Sequence, residues 1–445
     1  MPSLLVAAAA FTCVGLCAGV AQAQTQPWLE DRRYTEGKGI EVGDFELHPG
    51  AAAEFGYDSN YFQRADDEDP IGALRLRITP SFSVSTLSAR RRGENAAPPL
   101  VAFRAGIYAT YEEFFPVSGG EAGQDAMRDN RNIGGRVDFN VDFAPGRIVF
   151  GSVHGGLTRN IDPSNIGIQS ESFNRLLPDG GAEIGFAPGG GNFDWRFGYN
   201  FYGTFFESSD FTDLNNYNHE ATTRGRWRFL PRSALTFDGR FSFIDYPDEA
   251  IKTDSHPLRA RLGYNGLITN SFAILLMGGW GASFYSPPPD PPQDFDSFIG
   301  QAEVKWLITP SPSTDPAAAS LSLSSLAAGF LRDFADSYIG TYEEWDRGYV
   351  KFSYLFAGRF LLVIDGGVAA VRYPDQEPRF DQGPFTAIRV DASAYGEYRF
   401  IDWFGVNATV RYDTNITDVV LDSGGVPENL QWQTFQAYIG ARFLW

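Results

Sequence analysis

The chain has 445 residues and a formal net charge of −19, and 15% of its residues are aromatic. The excess of acidic residues argues against a nucleic-acid partner, because a phosphate backbone is bound by clustered positive side chains. Beyond the first residues the sequence contains no apolar run long enough for a transmembrane helix, which excludes a helical membrane protein.

Residues 1–23 carry no charged side chain and end in Ala21-Gln22-Ala23, the small-x-small pattern of a secretory cleavage site. We therefore predict a signal peptide over residues 1–23. Cys13 and Cys17 both lie within it, so we expect neither disulfides nor cysteine-bound metals in the mature chain. Residues 24–44 are predicted to be a polar periplasmic lead, and residues 45–445 to be one domain.

Short segments with turn residues recur through this domain, among them "APGR" at 144, "LPRS" at 230 and "TPSPSTDP" at 309. Longer connections rich in Asp, Asn, Ser and Pro lie between them, such as "QRADDEDP" and "SPPPDPPQDFD". Each period of roughly 40 to 45 residues therefore holds two strands, one tight turn and one long loop. The count predicts about eighteen strands, with sixteen as the alternative.

The predicted strands alternate between apolar and polar residues, as a sheet with two unlike faces requires. One example sets Val137, Phe139, Val141 and Phe143 against Arg136, Asp138, Asn140 and Asp142. The strands of a soluble β-sandwich also alternate between apolar and polar residues. However, so many strands form a sheet that is too wide to stay open, and closing it into a barrel removes both unpaired edge strands. We predict an all-β fold, a transmembrane antiparallel up-and-down β-barrel with short periplasmic turns and longer extracellular loops. Outer-membrane lipid would cover its apolar face.

Several aromatic residues lie near predicted strand ends, where an interfacial girdle is expected. They are Trp195, Trp227, Tyr246, Trp306, Tyr373, Trp403 and Trp445. The last strand also places apolar residues at every second position up to the final aromatic, namely Phe435, Ala437, Ile439, Ala441, Phe443 and Trp445. This ending is similar to the signal that outer-membrane barrels present to the barrel-assembly machinery, which is therefore an expected partner.

Charged residues on the polar face of the predicted strands are candidates for the lumen of the barrel. These are Arg75, Arg77, Arg136, Asp138, Arg196, Arg224, Arg226, Arg228, Arg240, Arg259, Arg261, Arg389, Asp391, Arg399 and Arg411. Two interpretations remain open. The side chains could form cross-strand ion pairs that stiffen a wet wall, or they could form an electropositive path for an anionic solute or polymer.

The sequence contains neither G-x-S-x-G nor H-E-x-x-H, and its four histidines lack metal-ligand spacing. The chain is thus predicted to be no enzyme and to use no cofactor or metal, with a barrel hydrolase as the least favoured alternative. The acidic run at 66–69 could bind Ca²⁺, although a solvated loop is the favoured interpretation.

One stretch, "FELHPGAAAEFGYDSNYF" at 45–62, is distinctive. It resembles the start of the β-barrel porin 2 family through Leu47, Pro49, Gly56, Tyr57, Asp58, Ser59 and Asn60. The resemblance implies an outer-membrane barrel of about eighteen strands that exports exopolysaccharide or capsular polysaccharide, with periplasmic export proteins as partners. A general or anion-preferring diffusion porin for the uptake of small solutes is the alternative. The stretch at 45–62 contains the tetrad "YDSN" at 57–60, and a second tetrad, "YDTN", spans 412–415. We expect both tetrads to cap strand ends rather than to contact sugar.

Overall fold

The computed structural model describes residues 39–87, 99–129, 131–161, 174–248, 252–286, 294–308, 324–337, 339–375, 382–401, 403–423 and 426–445. The predicted signal peptide and most of the predicted lead lie outside the described residues. No helix in these ranges is long and apolar enough to cross a membrane.

The described residues are organised mainly as strands, most of them 12 to 17 residues long. The strands are β1 (Ile40–Val42), β2 (Phe45–Asp58), β3 (Ala73–Thr86), β4 (Val101–Pro116), β5 (Asn132–Phe143), β6 (Val149–Asn160), β7 (Arg175–Phe186), β8 (Phe193–Phe206), β9 (Asn216–Leu230), β10 (Ser233–Asp245), β11 (Asp254–Leu267), β12 (Phe272–Ser286), β13 (Phe295–Leu307), β14 (Ser325–Asp336), β15 (Tyr342–Phe356), β16 (Phe360–Tyr373), β17 (Phe385–Ile401), β18 (Phe404–Ile416), β19 (Val420–Ser423), β20 (Val426–Asn429) and β21 (Trp432–Leu444). Helix α1 spans Glu121–Asp129, and short 3-10 helices span Asp66–Glu68, Gly189–Gly191 and Ser209–Leu214.

Strands β2 to β18 each pair antiparallel with the next, β18 pairs with β21, and β21 pairs with β2. The sheet therefore closes on itself as an 18-stranded antiparallel barrel, which confirms the predicted fold class and strand number. Strand β1 adds to the start of β2, and β19 and β20 form a separate hairpin.

The two faces of the barrel differ as the alternation predicts. Apolar side chains of one parity are exposed, for example Leu262 at 61% and Ile439 at 62%. Polar side chains of the other parity are fully buried, including Arg75 and Glu397, both at 0%. A side chain on the outside of a single ring could not be so completely covered, so this second parity faces the interior.

Long and short connections largely segregate to opposite ends of the barrel. Tight turns such as 231–232 and 357–359 lie at the end where β2 begins and β21 ends. Two connections at this end are longer than the sequence predicts: β3 ends at Thr86 and β4 begins at Val101, whereas β13 ends at Leu307 and β14 begins at Ser325. The segment "TPSPSTDP" belongs to the second of these and lies outside the described residues.

The ladder between β13 and β14 is incomplete. It runs from Gly300 opposite Arg332 to Leu307 opposite Ser325, so residues 295–299 and 333–336 are not paired with each other. The Arg332 guanidinium bridges the gap by donating to the Phe298 carbonyl at 3.0 Å and to the Ser297 hydroxyl at 3.2 Å. Side chains thus replace the backbone ladder at the loop end of this seam.

Candidate functional site

The inner face of the barrel is lined by carboxylates and guanidinium groups that pair across strands. Asp238 on β10 contacts Arg240 at 3.2 Å and Arg261 on β11 at 3.1 Å. Asp333 on β14 contacts Arg259 at 3.0 Å and Arg261 at 3.4 Å. These contacts join β10, β11 and β14, although β12 and β13 lie between β11 and β14 in the sheet.

A second network lies where the first and last strands meet. The Glu397 carboxylate, fully buried, accepts from Tyr395, from Arg399 at 2.6 Å and from Arg442 on β21. Arg77 on β3 contacts Glu54 on β2 at 3.0 Å. Buried charges are tolerated here because each one has an opposite partner.

The predicted lumen residues share the strand parity of the buried polar side chains, and their role in a pore stays a prediction. Ion pairs hold Arg75, Arg77, Arg136, Asp138, Arg196, Arg224, Arg240, Arg259, Arg261, Asp391, Arg399 and Arg411. Among the described residues, Arg226 and Arg389 make no ion pair. The extensive pairing favours the stiffened-wall interpretation over an unbroken electropositive path.

The sequence did not single out several acidic partners of these arginines. Glu183 on β7 contacts Arg196 on β8 at 3.2 Å, and Asp179 on β7 contacts Arg136 on β5 at 2.8 Å. Their parity places them on the inner face, but "PDGGAEIGF" has too many glycines for its alternation to stand out. Only the strand register shows which arginine each carboxylate meets.

Loops and hairpins fold inward at the loop end of the barrel. Val419 and Leu430, which flank the β19–β20 hairpin, pack against Val371 and Ala387 of the wall. On the other side, Met127 of helix α1 packs with Tyr61 and other buried residues of the β2–β3 loop. These elements lie against inward-facing wall residues and therefore narrow the mouth.

Two predicted girdle residues point inward instead. Tyr246 is 3% exposed and donates to Asp336, and Tyr373 is 8% exposed within the cluster of Val371 and Ala387. The assignment was wrong for both because aromatic residues at a strand end also cover inward-folded loops. Trp403 and Trp445 do lie together at the opposite end, with ring centroids 5.9 Å apart.

The first tetrad ties the barrel closed. Asp58 accepts from the backbone N–H of Asn60 at 3.1 Å, a local turn that ends β2. The same carboxylate accepts from Arg75 at 2.9 Å and from Gln436 on β21 at 2.9 Å. The Ser59 hydroxyl accepts from the Phe435 N–H at 2.8 Å. The capping interpretation therefore accounts for these side chains, which also bind β2 to β21.

The chain is similar to several solved structures at low sequence identity. The chain is similar to OccAB2 of Acinetobacter baumannii, with 9% identity, 91% of this chain and 98% of that chain covered, and a TM-score of 0.47. OccAB3 of the same organism gives 11% identity, coverage of 91% and 100%, and a TM-score of 0.44. A bacterial polysaccharide outer membrane secretin gives 10% identity, coverage of 91% and 99%, and a TM-score of 0.37.

No protein-family model matches the chain, and no curated protein matches it. The resemblance to the β-barrel porin 2 family therefore stays a prediction. In the described residues no group of three or more His, Cys, Asp or Glu side chains could hold a metal ion.

Proposed function

We propose that the chain is a non-enzymatic channel of the bacterial outer membrane that conducts a secreted exopolysaccharide or capsular polysaccharide outward. The observation that carries the proposal is the closed ring of 18 strands with an exposed apolar outer face and a charged inner face. A barrel of this size leaves room for an aqueous channel, and the outer face matches what a bilayer solvates.

Two features support a polymer as the cargo. The first is the resemblance carried by residues 45–62. The second is the lining itself, in which opposite charges alternate across strands, as in Asp238 between Arg240 and Arg261. Such a wall offers many hydrogen-bonding groups without one dominant field, so a long hydrated chain can move along it without being trapped. Export proteins in the periplasm would deliver the polymer, and the barrel-assembly machinery would insert the chain.

Deleting the gene tests the export proposal. We expect surface polymer to disappear while its synthesis continues, and the intact gene should restore export. Unchanged surface polymer in the deletion strain would contradict the proposal.

A diffusion porin for small anionic solutes is the second candidate. It is favoured by Arg226 and Arg389, which face inward and make no ion pair among the described residues. Reconstitution into planar bilayers separates the two candidates. A diffusion porin should conduct chloride and small organic anions readily, whereas polymer export does not require a high conductance for small anions. A high anion preference with normal surface polymer in the deletion strain would favour the porin.

A further inference from the structure

A row of inward side chains crosses the wall at the narrowed mouth. Ala369 on β16 lies opposite Arg389 on β17, Arg389 lies opposite Asn415 on β18, and Asn415 lies opposite Trp432 on β21. The rings of Trp345 and Trp432 lie on the two sides of Arg389, with centroids 5.6 and 5.7 Å from its guanidinium carbon.

Three neighbours in this row each have a buried polar atom without a hydrogen-bond partner among the described residues. They are the Nε of Arg389, the Oδ1 of Asn415 and the Nε1 of Trp432. Two are donors and one is an acceptor. Unpartnered buried groups are unfavourable, and a ligand that supplied partners to three of them in adjacent register positions would remove that cost.

The two tetrads provide an internal comparison. Asn60 in the first tetrad uses both ends of its amide, since its Oδ1 accepts from the Arg64 N–H at 2.9 Å and its Nδ2 donates to the Arg64 carbonyl at 2.7 Å. Asn415 in the second tetrad donates to the Leu430 carbonyl at 2.7 Å, but its Oδ1 accepts no hydrogen bond from the part of the chain that the structure describes. The same residue type is therefore saturated at the barrel closure and unsaturated at the mouth.

Arg389 also differs from most arginines of the wall. Arg259 and Arg261 have carboxylate partners within 3.4 Å, whereas the close side-chain contacts of Arg389 among the described residues are with the ring faces of Trp345 and Trp432. Contacts with ring faces leave the edge of a guanidinium available, and that edge matches the two oxygens of a carboxylate.

We propose that Arg389, Asn415, Trp432 and Trp345 form a binding site for a carboxylate-bearing sugar. Arg389 binds the carboxylate through two parallel N–H groups, Asn415 accepts from a sugar hydroxyl, and the part-buried Trp345 ring packs against the C–H face of the pyranose. The inference rests on the proposed function in one respect, since the sugar would be a unit of the exported polymer. The cargo would then be an acidic polysaccharide.

Titration of the purified barrel in detergent tests the site without any transport. Methyl β-D-glucuronide should change the tryptophan fluorescence saturably. Methyl β-D-glucoside, which lacks the carboxylate, and acetate, which lacks the ring, should each bind at least about tenfold more weakly, because each loses one half of the recognition. Equal binding of glucoside or acetate would overturn the proposal, as would the absence of any saturable change.

Arg389→Gln should weaken glucuronide binding by at least about tenfold, because a charge-assisted pair is lost. Arg226→Gln is the matched control, since Arg226 also faces inward without an ion pair among the described residues but lies on β9, away from the row. It should leave binding unchanged. If Arg389→Gln does not fold, Arg389→Lys keeps the charge while losing the planar fork and should also weaken binding. Unchanged binding in either folded Arg389 variant, or an equal loss in Arg226→Gln, would overturn the site.

These outcomes are separable from those of the gene deletion. Glucuronide binding that depends on Arg389, together with normal surface polymer in the deletion strain, would keep the site and refute export. Loss of surface polymer without glucuronide binding would keep export and refute the site.

Discussion

The buried carboxylate of Asp58 is predicted to hold the barrel closed. It accepts from Arg75 and Gln436 at 2.9 Å and from Thr434 at 3.2 Å, and its side chain is 1% exposed. Asp58→Asn keeps the shape, but it removes the charge and turns an amide N–H₂ toward groups that donate. Removing one partner of a buried ion pair costs about 3 to 5 kcal/mol. Because Arg75 retains Glu112 at 2.6 Å, we expect a value of about 3 kcal/mol, near the lower limit of this range.

The second tetrad supplies the control. Asp413 occupies the same position in "YDTN" but pairs with Arg411 on its own strand, where the two side chains are 25% and 15% exposed. Asp413→Asn should therefore cost about 1 kcal/mol or less. Urea unfolding of both variants in phospholipid vesicles, followed by tryptophan fluorescence, measures the difference. If Asp58→Asn costs no more than Asp413→Asn, the carboxylate does not hold the closure, and the sugar-contact interpretation of the tetrad regains weight.

Three further changes have defined outcomes. Replacing all three of Arg224, Arg226 and Arg228 by Glu should lower the anion preference of the channel in planar bilayers, measured as a shift in reversal potential under a salt gradient. An unchanged reversal potential would show that these side chains do not line the ion path. Deleting Trp445, whose N–H donates to the Pro49 carbonyl at 2.9 Å, should reduce the folded barrel recovered from outer membranes, and normal recovery would show that the last aromatic is dispensable for assembly. Phe334→Ala should lower the free energy of unfolding by about 3 kcal/mol, because Phe334 is 1% exposed and its ring stacks on Phe295 at 4.1 Å across the incomplete seam. Hydrogen exchange at residues 333–336 should become faster. Protection equal to that of the unmodified chain would show that Phe334 does not seal the gap.

The barrel itself could be predicted from the sequence because one physical constraint repeats in every strand. Each strand separates an apolar face from a polar one, so the alternation around Val137 or Phe435 predicts the two surfaces without any tertiary information. The turn spacing then gives the strand number, which the structure confirms.

The pairing of charges could not be predicted in the same way. Parity places Arg224 on the inner face, but its partner Glu183 lies two strands away and is selected by register. The inward fold of the mouth was also hidden, because Val419 and Leu430 meet Val371 only after the loop has turned back over the wall. For the same reason, nothing local to Arg389 or Trp432 indicated that the two side chains are neighbours in the fold.

In the proposed arrangement, lipid covers the outer face of the barrel while water reaches the inner one. Phe139 and Asn140 are neighbours on β5 with opposite parity, and Phe139 is 43% exposed on the apolar face. With Cys13 and Cys17 in the predicted signal peptide, a single cysteine can be placed at either position of the mature chain, spin-labelled and reconstituted into vesicles. Electron paramagnetic resonance should then show the label at 139 relaxed mainly by oxygen dissolved in lipid and the label at 140 relaxed mainly by a water-soluble nickel chelate. Equal exposure of both labels to the nickel chelate, or to neither reagent, would contradict the account.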